Sequence, residues 1–201
     1  MRPEENLPSV LSGIWAGYSF RSKLSHTPGG NAHVLQMKDL EDHYSRVGTS
    51  LTCIRTDTVP DKFLLHAGDV LFLAKGANNY ALAYTPVLPR VIPASAFFIL
   101  RPNLQKVDPG YLAWYINQAP VQQYLKAHAV GKHTPNINKD VLARITLPVP
   151  PLARQQTIAA IDRLRREEML LLRTIQARRA ELIARQLLTA VSTPAADGPR
   201  P

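Results

Sequence analysis

A chain of 201 residues with 24 Lys and Arg against 15 Asp and Glu, net charge +9, has room for one domain of ordinary size and an appendage. A single cysteine, Cys53, excludes an internal disulfide, and the most apolar runs, Val70 to Ala74 and Ala94 to Leu100, fall far short of the ~20 residues that span a bilayer. With Glu4 and Glu5 where a signal peptide would be basic, the expectation is a reduced, cytoplasmic protein whose charge suits a nucleic-acid partner or simply a basic surface.

The first 150 residues carry the periodicity of strands and short helices. Pro28-Gly29-Gly30-Asn31 reads as a turn and Val34 to Met37 as a short strand. Ile54 beside Cys53 predicts a buried strand thiol. Gly68-Asp69 predicts a tight turn into Val70-Leu71-Phe72-Leu73, a continuously apolar and therefore buried strand, which Gly76-Ala77-Asn78-Asn79 closes. Ala81 to Tyr84 and Ala94 to Leu100 are strand-like. The Pro86/Pro89/Pro93 segment between them cannot be ladder interior. Tyr111 to Ile116 and Val121 to Ala127 have helical spacing, with Asp108-Pro109 as cap and first turn. The domain, residues 1–150, is therefore mixed, and the fold class is α+β.

Near residue 150 a proline cluster, Pro148-Val149-Pro150-Pro151, ends this pattern. From Gln155 to Val191 there is neither Gly nor Pro, and strong helix formers dominate. Residues 151–191 are expected to form one long helix, about 55 Å over its uninterrupted part at about 1.5 Å per residue. Ile161, Leu164, Leu171, Ile175 and Leu182 recur at coiled-coil spacing, interrupted by Glu168 and Arg178. A helix of that length exceeds what its own domain can cover, so a helix partner is expected. Residues 192–201 read as a disordered tail. Both parts are basic: 15 cationic against 10 acidic side chains up to residue 150, then 8 against 4 up to residue 192.

Catalytic signatures are missing. The chain has no G-x-G-x-x-G, Walker, H-E-x-x-H or G-x-S-x-G motif, and its histidines at 26, 33, 43, 66, 128 and 133 are scattered. Val149-Pro150-Pro151-Leu152 lacks the polar first and aromatic last residue with which an amino-methyltransferase holds a flipped base. No catalytic residue, metal or bound cofactor is expected.

Several runs occur in a telling order: Leu65-His66-Ala67-Gly68-Asp69-Val70-Leu71-Phe72, Lys75-Gly76, Ala94 to Arg101, Tyr111-Leu112-Ala113-Trp114-Tyr115, Gly131, and Leu147 to Ile158. Together they resemble specificity subunits of type I restriction-modification systems, in a half-length form with one target recognition domain and one conserved helix. The resemblance covers roughly residues 5 to 190. It implies a non-catalytic DNA-reading subunit that directs a partner adenine methyltransferase, the holder of S-adenosylmethionine, and in many systems a restriction subunit. Family members usually carry two recognition domains and two antiparallel helices, whereas this chain has one of each. A homodimer through Ile161, Leu164, Leu171, Ile175 and Leu182, reading one half-site per copy, would restore the pattern.

Two polar loops carry the residues expected at DNA: Lys75, Asn78, Asn79 and Tyr80 in one, and Lys132, His133 and Asn136, following Gly131, in the other. Each combines glycine for close approach, lysine for phosphate and asparagine for adenine edges. Arg21, Lys23 and Arg90 are further phosphate candidates. For any single residue the plainer account is local, Asn78-Asn79 building a turn and Asn136 capping one. Alternatives are a specificity module of a methylase-only or other phage-defence system, an RNA-binding protein, and a pure coiled-coil interaction protein.

Overall fold

The computed structural model describes residues 4–192 apart from Ser22, His43, Ala77, Lys132 and His133. Two DNA-contact expectations, Lys132 and His133, thus lie outside the described residues, as does the tail from residue 193 onward. In chain order the strands are β1 (Glu4–Asn6), β2 (Leu11–Ala16), β3 (Ala32–Leu35), β4 (Leu40–Glu41), β5 (Arg46–Val47), β6 (Thr52–Ile54), β7 (Val70–Leu73), β8 (Tyr80–Ala83), β9 (Val91–Pro93), β10 (Phe97–Pro102) and β11 (Thr146–Pro148). The helices are α1 (Pro109–Ile116), α2 (Ala119–His128), α3 (Lys139–Ala143) and α4 (Leu152–Ser192).

The central sheet has the order β2-β10-β7-β8 and is antiparallel throughout, with Phe97 opposite Leu73 and Leu71 opposite Leu82. Its inner strands, β7 and β10, are apolar on both sides for a reason. Val70, Phe72, Phe98 and Leu100 face a cluster with Tyr111, Leu112, Ile116, Val121 and Leu125 from α1 and α2. Leu71, Leu73, Phe97 and Ile99 face a second cluster with Leu35, Val47, Leu65 and Val91. A strand covered on both faces must be a continuous apolar run, which is what Val70–Leu73 presents. The edge strand β8 is closed by one side chain: Asn117 accepts from Ala81 N (2.9 Å) and donates to Ala81 O (2.7 Å), occupying the pairing positions of a further strand.

The turn into β7 is built around a buried charge. Gly68 adopts φ +85°, which a side chain would strain, and the Asp69 carboxylate that follows is 1% exposed. Asp69 accepts from Arg101 Nε (2.7 Å) and Nη2 (2.8 Å) and from His66 N (2.8 Å), so the charge is fully paired. Donating to the Asp69 carboxylate raises the Arg101 pKa above its ordinary value. Arg101 also lies over the Trp15 ring at 5.2 Å.

A second sheet, β6-β3-β9, sets β3 antiparallel to β6 and parallel to β9. The strand expected over Ala94 to Leu100 is β10, shifted to Phe97–Pro102, because the chain leaves β9 at Pro93 and turns through Ser95 and Ala96 first. Pro93 is tolerated because it ends its strand. The strand expected at Val34 to Met37 runs Ala32–Leu35 instead, since Asp39 Oδ2 accepts from Gln36 N and curls 37–39 into a single tight turn. Cys53 is in a strand but half-buried, not buried as expected, because strand alternation turns Ile54 inward and leaves Cys53 on the other face.

Asp108 caps α1 by accepting from Tyr111 N (2.9 Å), with Pro109 in the first turn. The helix α4 spans Leu152–Ser192, within one residue of the expected 151–191 at each end, and its first turn is closed by Pro151 O accepting from Arg154 N and Gln155 N. At 41 residues it is about 60 Å long at about 1.5 Å per residue. The chain divides into two compact units, residues 1–160 and 161–201, so the first turns of α4 belong with the domain. Gln155 fixes them there: fully buried, it donates to Lys106 O (2.9 Å) and Pro150 O (2.7 Å) and accepts from Asp108 N (2.8 Å). Gly110 lets α1 approach this segment, since a Cβ there would lie 2.9 Å from Ala159 Cβ.

From Ile161 onward the helix is held by its own ion pairs, such as Arg163 with Glu167, Asp162 between Arg165 and Arg166, and Glu181 between Arg178 and Arg185. Its expected seam is open: Ile161, Leu164, Leu171, Ile175 and Leu182 are 47–63% exposed. Met169, Leu170, Leu172, Ile183 and Leu187 are exposed as well, so apolar surface extends beyond one stripe.

Candidate nucleic-acid interface

The two polar loops, separated by more than fifty residues of chain, are hydrogen-bonded neighbours. Gly76 N donates to Pro135 O (2.9 Å) and Ile137 N to Ala74 O (3.0 Å), with Lys75 bridged to Asn136. The backbone of Asn136 also exchanges two hydrogen bonds with Val130. Both loops turn on glycines in the left-handed region, Gly76 at φ +110° and Gly131 at φ +108°.

Within this surface the expected residues divide. Lys75 and Asn78 are exposed, and Asn136 is half-buried with its backbone engaged in the bridges. Asn79 plays a different part, since its amide donates to Leu73 O and Ala74 O, both at 3.1 Å, and pins the loop to the end of β7. Tyr80 is half-buried against the second core cluster, because it is the first residue of β8 and faces inward there. The helix cap beside this loop is Asn138, whose side chain accepts from Val141 N (2.8 Å) at the start of α3.

The structure adds a neighbour that composition did not reveal. After β2 the chain crosses onto β9: Gly17 N donates to Phe97 O and Tyr18 N to Pro93 O, both at 2.8 Å. Gly17 is required, because a Cβ there would sit 2.2 Å from Ala94 O. The crossing leaves an open cleft of about 390 Å³ whose lining includes Tyr18, Ser19, Phe20, Lys23, Gln36 and Ser95. Tyr18 meets both Phe20 and Phe63 edge-on, which gives the wall a rigid aromatic backing. Lys75 Nζ lies 3.4 Å from Ser95 Oγ and connects this cleft to the two loops. Lys23, expected at phosphate, is thus in the lining, and Arg21 is exposed in the same segment. Arg90 is not brought here. It precedes β9, whereas Ala94 and Ser95 follow it, and its φ of +48° belongs to a bend in which His33 N donates to Arg90 O.

Arg46 is paired with Glu41 and Asp42, Arg101 with Asp69, and Lys38 with Asp39. Among the described residues, Arg21, Lys23 and Lys75 have no carboxylate partner, and no acidic side chain lines the cleft. Positive charge at this surface is therefore available to a polyanion. Among the described residues no group of histidine, cysteine and carboxylate side chains could hold a metal ion. The sequence signals for Gly17, Ser19, Gln36 and Ser95 were absent, because each acquires its position from a pairing across the chain.

The chain is similar to several known proteins. The family model of the type I restriction modification DNA specificity domain matches residues 13–173. A Methanocaldococcus jannaschii protein named as the putative specificity subunit of a type I restriction enzyme, MjaX, is 26% identical over 144 residues, covering 70% of this chain and 29% of that protein. Among solved structures, the HsdS subunit of Thermoanaerobacter tengcongensis superposes with a TM-score of 0.66 at 19% identity, over 98% of this chain and 51% of that one. A chain from work on complex assembly and conformational transition of the type I R-M system gives 0.70 at 18% identity, over 99% and 53%. The S subunit of a type I system from M. genitalium gives 0.57 at 18% identity, over 90% and 43%. The chain thus spans about half the length of the solved relatives and less than a third of the curated one.

Proposed function

Because the chain belongs to the type I restriction modification DNA specificity domain family, we propose that it is a non-catalytic DNA-recognition subunit that reads one half-site of a bipartite duplex target. It directs a separate adenine methyltransferase, the holder of S-adenosylmethionine, to that site, with or without a restriction subunit. The observation that carries this reading is the convergence of the Lys75–Asn79 and Gly131–Asn136 loops into one surface that offers lysine and asparagine together. Lys75 suits phosphate, and Asn78 and Asn136 have amides suited to adenine edges. Lys132 and His133, in the same loop as Asn136, are proposed as further contacts.

Titrating a labelled duplex at two salt concentrations tests the reading, with binding expected at low salt and weakening steeply as salt rises. Absence of binding at low salt, or affinity indifferent to salt, would sink it. Calorimetry with S-adenosylmethionine is expected to give no heat with this chain alone, and stoichiometric binding would reverse the division of roles.

The open seam of α4 supports a second element of the proposal, pairing with the same helix of a second copy. Five apolar residues at coiled-coil spacing, each about half or more exposed, need cover in water. Two-fold pairing implies inverted, identical half-sites in the target.

A further inference from the structure

We propose that the cleft lined by Tyr18, Ser19, Phe20, Lys23, Gln36 and Ser95 seats a stretch of the sugar-phosphate backbone of duplex DNA, fixing the register in which the adjoining loops meet the bases. This assignment rests on the DNA-recognition reading and adds a site to it. Duplex DNA presents two kinds of surface. Base edges lie at the floor of a major groove about 8.5 Å deep, within reach of protruding loops, whereas the phosphodiester strands stand out as convex ridges that fit a concavity.

The chemistry of the lining is that of a phosphate seat. Lys23 supplies charge, Ser19 and Ser95 supply hydroxyl donors, and Gln36 an amide held by a 3.3 Å hydrogen bond to Thr52 Oγ1. Lysine, serine and glutamine are the side chains that contact phosphate oxygens, and the aromatic walls offer apolar contact to the sugars. Among the described residues no carboxylate lines the cleft to oppose an anion. Lys75, tethered at Ser95 Oγ, stands between the cleft and the loop pair, so a strand seated in the cleft continues past Lys75 toward Asn78 and Asn136. Because Gly17 and the Tyr18–Ala94 bridge fix the cleft to β9, the seat is preformed and positions without reading sequence.

The test uses the full chain and two labelled duplexes, one of random sequence and one selected from a random library by the wild type. Lys23→Gln and Lys75→Gln are expected to weaken binding to both duplexes by the same factor and to lower the slope of log K against log salt by about 0.9 for each lysine. Ser95→Asp, which puts a carboxylate in the seat, is expected to weaken both at least as much. Base preference in a repeated selection stays as in the wild type. Lys106→Gln removes one charge elsewhere in the domain and is expected to leave the slope nearly unchanged. The cleft assignment is overturned if Lys23→Gln and Ser95→Asp bind as the wild type does, if Lys106→Gln lowers the slope equally, or if the cleft variants change base preference. If instead the wild type binds no duplex at low salt, the underlying reading has failed and not the cleft alone.

Discussion

The two units of the chain satisfy their apolar residues in opposite ways. Up to Ala160 the sheet β2-β10-β7-β8 is covered on both faces, and even the Asp69 charge and the Gln155 amide have complete sets of partners. From Ile161 onward, large apolar side chains are exposed along the helix, and the ion pairs on its surface are short-range ones within the helix. Exposed pairs of that kind contribute little, typically below about 1 kcal/mol each. The first unit therefore buries its own apolar residues, while the second exposes apolar surface of the kind that burial stabilises.

The contrast is most vulnerable at the seam. Replacing Leu171 and Ile175 with Asp is expected to abolish a homodimer outright while leaving the thermal transition of the first unit in place, because carboxylates cannot be desolvated without partners. Light scattering reports the mass. A wild-type chain that is monomeric both alone and in its assembled complex, or a non-palindromic site in methylation mapping with the partner subunit, would remove the symmetric dimer.

Inside the first unit, Asp69→Ala is expected to cost about 3 kcal/mol in urea unfolding, the lower end for a broken buried pair because Arg101 is 24% exposed. A loss below about 1 kcal/mol would mean that the turn into β7 does not depend on the pair. Gln155→Ala orphans Asp108 N and the carbonyls of Lys106 and Pro150. Its expected cost is about 2 kcal/mol, and hydrogen exchange should rise in the first turns of α4 more than in β7. Uniform acceleration would show instead that the joint is no separate element.

The mildest change is pH-dependent. Burial pushes the Tyr111 hydroxyl above its ordinary value of 10.0, and it donates to Pro148 O (2.8 Å). The folded chain therefore keeps this proton to higher pH than the unfolded chain. Its contribution is whole below about pH 10 and is lost as pH climbs through the raised folded value. Tyr111→Phe is expected to cost about 1 kcal/mol at neutral pH and to show a shallower loss in alkali than the wild type. Parallel alkaline curves for the two would exclude Tyr111 as a contributor.

Local chemistry accounts for a good part of this molecule. The Val70–Leu73 strand, the Gly68-Asp69 turn, the Asp108-Pro109 cap and the long helix after Pro151 were legible because each depends on residues within a turn or two of one another. Where separate pieces meet is a matter of tertiary structure alone. Asn78 and Asn79 look equivalent in sequence, yet only Asn79 reaches the carbonyls at the end of β7 and is spent there. Gln36 and Ser95 are ordinary polar residues until β3 and β9 pair in parallel and Gly17 lets the chain cross them, which assembles the cleft. A periodic pattern reports burial and element type, because those are set by neighbours along the chain. A binding surface depends on long-range pairings, whose partners are fixed only when the sheets close.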